Sequence, residues 1–249
     1  MNYSRPYDEI YSVIEGFDEI EKQAVTFLEG NDPHNALIIL TEIADQVIPD
    51  YEQLEDETQL SDYFTGWANT MAIAILSADL TPTEKTALQG KIKGWQHNLS
   101  DYGADESIAL VALALDQGWK TPDDTTRDRP RLNQGKFAEA EDKEDWNGWS
   151  RNSDKELTEI KLRIVERTRD VDTYLALCLK ENAHFHYGEK LVALGRIDEA
   201  RDHAVQWIVS PDEILALAQM MQTANAIKAA YVVGLHGLAL SGNKYRLGK

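Results

Sequence analysis

Through almost the whole chain, apolar residues recur at every third or fourth position. No stretch shows the period-two alternation that a half-buried strand requires. Such stripes lie at Ala36, Leu37, Leu40, Ile43, Ala44 and Val47, and at Phe64, Trp67, Met71 and Ile75. Others lie at Leu88, Ile92, Trp95 and Leu99, and at Leu157, Ile160, Ile164 and Val165. Start signals punctuate them: Asp32-Pro33, Thr81-Pro82-Thr83-Glu84 and Ser210-Pro211-Asp212-Glu213 each set a side-chain acceptor before a proline at the first helical position. Stop signals follow at Gly30-Asn31, Tyr102-Gly103, Gly118, Gly195 and Gly242-Asn243. The spacing predicts an all-α protein of about eleven helices.

Short connections between such helices make antiparallel hairpins. The segments 24–43 and 187–208 share one pattern: a helix, a glycine, four or five polar or mixed residues, then an alanine opening the packed face of a second helix (Gly30 before Ala36, Gly195 before Ala200). This resembles the inter-helix turn of tetratricopeptide-like repeats, where glycine permits the turn and alanine the close approach. The expected architecture is a stack of hairpins, an α-solenoid. In the last helix, Gly234 and Gly237 are placed to let a neighbouring backbone come close.

Negative charge is concentrated at one end. Residues 1–119 hold 22 Asp and Glu against 5 Lys and Arg, a balance of −17; residues 120–249 hold 21 against 20, a balance of −1. An acidic surface repels phosphate backbones, so direct nucleic-acid binding is not expected, whereas a basic protein partner is compatible. The stretch 120–152 is polar and lacks an apolar stripe until Trp146 and Trp149. The expected organisation is an acidic helical subdomain over 1–119, a linker or long loop over 120–152, and a helical-hairpin subdomain over 153–249. The longest strongly apolar run, Ile108 to Leu115, falls well short of the ~20 residues of a membrane span. No basic and apolar leader opens the chain, and the lone Cys178 cannot form an internal disulfide, so a cytoplasmic location is expected.

No motif supports catalysis. Gly-x-Ser-x-Gly, Gly-x-Gly-x-x-Gly and the P-loop are absent, and no cofactor is expected. Cys178, His184 and His186 form the only grouping with metal-ligand types, but Cys-x5-His-x-His matches no standard zinc spacing, and histidines two apart on a helix diverge. The acidic run Glu52 to Glu57 lacks calcium-loop spacing. One basic face gathers Arg151, Lys155, Lys161, Arg163, Arg167 and Arg169, interleaved with Glu156, Glu159 and Glu166 that can form ion pairs along the helix. Trp67, Trp95, Trp119 and Trp207 are spaced as core residues. Trp146, Trp149, Arg151, Arg163 and Arg167 are therefore the candidate partner-contacting residues.

The order of elements is similar to the helical region C-terminal to the zinc finger of bacterial SWIM zinc-finger proteins. The features that carry the resemblance are Leu28-Glu29-Gly30-Asn31 with Ala36 to Leu40, Trp67 with Leu76 to Thr81, and Trp95-Gln96-His97-Asn98-Leu99. Gln117-Gly118-Trp119, Tyr174 to Cys178 and Leu194 to Ala200 complete them. The family's Cys-x-Cys and Cys-x-His pairs are absent, so the resemblance implies a fragment or variant without the finger, and no metal. The expected function is a non-catalytic scaffold that binds a protein partner, with self-association of acidic and basic faces open to it. An accessory region of a nucleic-acid-associated complex, with nucleic acid bound elsewhere, is the alternative; an all-α enzyme is a third reading.

Overall fold

The computed structural model describes residues 6–49, 57–99, 105–119, 146–168 and 170–246. These form eleven α-helices and no strand: α1 (Pro6–Glu29), α2 (Pro33–Val47), α3 (Glu57–Ser77), α4 (Pro82–Leu99), α5 (Asp105–Gln117), α6 (Trp146–Thr168), α7 (Val171–Lys180), α8 (His184–Ala193), α9 (Ile197–Trp207), α10 (Pro211–Thr223) and α11 (Ile227–Arg246). None of the described helices is long and apolar enough to cross a membrane. The expected caps form. Asp32 accepts from the Asn35 N–H, and Ser210 from that of Glu213. Thr81 and Glu84 make a reciprocal capping box, with the Thr81 N–H donating to Glu84 Oε2 at 2.7 Å and the Glu84 N–H to Thr81 Oγ1 at 3.3 Å. Helix α7 is capped by Asp170, which accepts from the Thr173 N–H at 2.8 Å; Asp172 sits in its first turn.

The chain divides into two compact units, residues 1–164 and 165–249, with the boundary inside α6. The charge balance changes near residue 119, and the packing changes later: Leu157 and Ile160 belong to the first unit's core. Helix α6 already begins at Trp146, within the stretch expected as linker; residues 120–145 lie outside the described ones.

In the first unit α3 is central, packing on α2, α5 and α1, while α4 packs on α5. The reason is the apolar face of α3. Trp67 is wholly buried and meets Phe64 and Trp95 edge-on. Its indole N–H donates to the Leu40 carbonyl at 3.1 Å, so the largest core side chain leaves no polar atom unpaired. Asp45 accepts from the Trp95 indole at 2.9 Å and also pairs with Lys91, which ties α2 to α4.

In the second unit α7 packs on α8, α8 pairs with α9, α10 lies on α8, α11 lies on α9, and α10 pairs with α11. The last two hairpins repeat with a step of 30 residues. Gly195 (φ 75°) and Asn225 (φ 62°) occupy the same left-handed turn position. The Gly195 and Arg196 N–H groups donate to the Val192 and Leu191 carbonyls, and the Asn225 and Ala226 N–H groups to those of Gln222 and Met221. The inward residues correspond as well: Gly188 with Ala218, Leu191 with Met221, Ala200 with Ala230. Close stacking depends on small residues. A Cβ at Gly188 would lie 3.0 Å from Leu217 Cδ2, the side chain that α10 lays over α8.

Replacing Trp67 with alanine empties the centre of the first core and removes the indole donor from the Leu40 carbonyl. Urea unfolding is expected to show a loss of about 3–5 kcal/mol, with Trp67→Phe costing visibly less.

Candidate functional site

Two features of the second unit stand out from a well-buried helical core. The larger is a groove along the outer face of the α10–α11 hairpin. Inward residues of these helices, Ile214, Leu217, Met221, Ala229 and Val233, are buried. Yet the opposite faces are apolar too. Leu215, Tyr231, Leu235 and Leu238 stand in solvent, Tyr231 at 66% and Leu238 at 69% exposure, and they line a cavity of about 540 Å³. Its size suits a ligand pocket, but its walls are side chains of two parallel ridges open on one side, as in grooves that accept a helix.

The two glycines of α11 do different jobs. A Cβ at Gly237 would meet Ile214 Cγ2 at 2.8 Å, so this glycine lets α10 and α11 close on each other. At Gly234 a Cβ would meet nothing within 4 Å; that position is open floor. The close neighbour expected at both sites is thus present at Gly237 alone, and it is a side chain. Electrostatically the hairpin departs from the rest of the chain. Residues 214–249 contain no Asp or Glu, in a protein with 43 of them, and the carboxylate at the groove is Asp212 at one end.

The second feature is a histidine–aromatic cluster where α8 meets α9. His184 Nδ1 lies 3.2 Å from His203 Nε2, so one ring donates to the other. The His184 ring stacks on Trp207, with centroids 5.2 Å apart, and Tyr187 lies 4.4 Å from His203. Burial holds His203 down at about 4, helped by the neighbouring His184, and burial also lowers His184 against the opposing pull of Glu213. Both rings are neutral at pH 7, which suits a structural clasp. The 30-residue step maps this stack onto the contact of Ile214 with Gly237 in the next hairpin, a second sign that it holds α8 to α9.

The candidates from sequence fare differently. Arg163 and Arg167 are exposed one turn apart on α6, with Lys155 also exposed. Lys161 is not on that face: it is 1% exposed, because it shares its side of α6 with Leu157 and Val165, one turn before and one turn after it and both buried. Trp146, Trp149 and Arg151 lie on the first turns of α6, their side chains outside the described ones, as is Arg169. Glu166 pairs with Lys190 of α8 at 2.8 Å, and Glu156 accepts from Asn69 at 3.0 Å, so these carboxylates bind partners on other helices. Of the four tryptophans expected in the core, Trp67 and Trp95 are buried, whereas Trp207 is half exposed and Trp119 is 39% exposed. The grouping of Cys178, His184 and His186 does not converge: the thiol is buried, His184 turns to His203, and His186 faces Glu189 of its own helix. Burial pushes the Cys178 thiol up to about 12, so no thiolate forms at neutral pH. Among the described residues no group of three or more His, Cys, Asp and Glu side chains is placed to hold a metal ion. The acidic run 52–56 lies outside the described residues.

Two outcomes test this geometry. Gly234→Ala is expected to stabilise by up to about 1 kcal/mol through helix propensity, whereas Gly237→Ala is expected to destabilise because the β-branched Ile214 cannot move aside; thermal unfolding of both variants shows opposite signs. For His203, the unfolded ring takes up a proton near 6.5 and the folded ring only near 4. Its contribution is therefore complete above pH 6.5 and is lost as the pH falls towards 4. His203→Phe should unfold with a shallower pH dependence than wild type between pH 7 and 5.

No protein-family model matches this chain, and no curated protein or solved structure matches it significantly.

Proposed function

We propose that this chain is a non-catalytic, cytoplasmic helical scaffold that binds a protein partner, with the outer face of α10–α11 as the contact surface. The observation that carries this reading is the row Leu215, Tyr231, Leu235 and Leu238, exposed side by side along one groove. Contiguous exposed apolar surface on an otherwise charged protein is kept where something covers it. The stacking of successive hairpins on one another supports a tetratricopeptide-like solenoid, an architecture whose faces bind proteins without a preformed pocket. The resemblance to the helical region of SWIM zinc-finger proteins supports the same role, as a partner-binding part. Arg163 and Arg167, with Trp146, Trp149 and Arg151 earlier on α6, are a second candidate contact face, suited to an acidic surface.

Affinity capture with the full chain tests this. Wild type is expected to recover a protein partner at physiological salt, and Leu235→Asp with Leu238→Asp to lose it while remaining folded by circular dichroism. Recovery of salt-sensitive DNA or RNA instead, unaffected by these substitutions, contradicts the scaffold reading.

A further inference from the structure

Two of the chain's six histidines meet side by side, although 19 residues separate them. His184 opens α8 and His203 lies within α9; the packing of these helices brings His184 Nδ1 to 3.2 Å from His203 Nε2. A hydrogen bond between two ring nitrogens needs only one hydrogen, so the accepting atom turns a lone pair toward its partner. When the donating ring carries its hydrogen on its other nitrogen instead, both facing atoms offer lone pairs to the same space. Both rings are also held at their faces. His184 stacks on Trp207 with 16° between the planes, and the Tyr187 ring lies 4.4 Å from that of His203. Ligands fixed by packing in this way are oriented before an ion arrives.

We propose that His184 Nδ1 and His203 Nε2 form a binding site for a divalent transition-metal ion of the zinc, nickel or copper type, completed by water. The spacing fits. Two Zn–N bonds of about 2.0–2.1 Å that meet near the tetrahedral angle hold their nitrogens roughly 3.3 Å apart, and the pair already stands at 3.2 Å. Imidazole nitrogen suits these ions, whereas calcium and magnesium take oxygen ligands. His184 and His203 are only partly buried, so an ion and its waters can reach them from solvent. Glu213, in the first turn of α10, acts on His184 through its negative charge and favours a cation there. Among the described residues no third His, Cys, Asp or Glu side chain is placed to join the pair, so the site is open and exchangeable rather than a closed structural one. One ligand stands on α8 and the other on α9, so a bound ion stabilises the folded hairpin by linkage. The grouping of Cys178, His184 and His186 in the sequence held one of the two ligands; the other comes from the next helix.

Isothermal titration of the full chain with zinc chloride tests the proposal. One ion per chain is expected, with no heat from calcium chloride at the same concentration. His184→Gln and His203→Phe each remove one ligand. Loss of a mere outer partner of a metal ligand costs about 10–100-fold in affinity, so each variant should weaken zinc binding by about tenfold or more. His186→Gln, whose ring faces Glu189, should bind as wild type does. Circular dichroism checks that each variant folds; if His203→Phe does not, His184→Gln decides the matter alone. Copper(II) bound to wild type should show hyperfine splitting from two nitrogens in electron paramagnetic resonance, and from one in either variant. No zinc binding below millimolar concentration, or an affinity that the ligand variants leave unchanged, overturns the proposal. An equal loss in His186→Gln overturns it as well, because the ligands are then not the pair named. Half an ion per chain makes the ion a bridge between two copies and overturns the site within one chain.

Discussion

The second unit depends on how closely α10 can approach α8, and Gly188 sets that distance. Without a side chain there, Leu217 settles against α8 with Ile208 beside it, in a core that also holds Leu191 and Ala204. A leucine in such a site buries nearly all of its surface, worth roughly 1.5–3 kcal/mol, and a larger residue at Gly188 forces the helices apart. At the next step of the repeat Ile208, which is 2% exposed, corresponds to Leu238, which is 69% exposed, so the last hairpin leaves apolar side chains of α11 in solvent.

Polar groups are handled in the same economical way. The tryptophans of the first unit send their indole N–H groups to fixed acceptors, the buried Trp67 to Leu40 and Trp95 to Asp45, and the more exposed Trp119 to Leu76. The paired neutral histidines at α8–α9 share one hydrogen bond and stack on Trp207, joining two helices without burying charge. The thiol of Cys178 is held in its protonated form by burial. These arrangements fix helices against one another, and the surface that stays uncommitted is the apolar face of the last hairpin.

Much of the fold was legible in the sequence because the helix signals are local. The cap residues Asp32, Thr81 and Ser210, and the stripe Leu88, Ile92, Trp95 and Leu99, depend only on near neighbours, and the helices start and bury where these residues indicate. Periodicity marks a face as apolar; it does not say whether another element covers that face. Trp207 and Trp119 therefore read as core and stand partly exposed. Lys161 failed in the opposite direction, since residue type suggested solvent while its place on the stripe of Leu157 and Val165 put it inside. The groove had one sequence signal of its own, the run from Ile214 to the end without a single carboxylate. The metal-type grouping of Cys178, His184 and His186 was adjacency along the chain, and the helix geometry sends the three side chains to different partners.

Hydrogen exchange of the full chain with and without a protein partner recovered by affinity capture tests the central claim most directly. The account predicts new protection confined to the start of α10 and to residues 231–238 of α11, with α6, α8 and α9 unchanged. Protection on the α6 arginine face or at the His184–His203 cluster, with α11 unaltered, contradicts it.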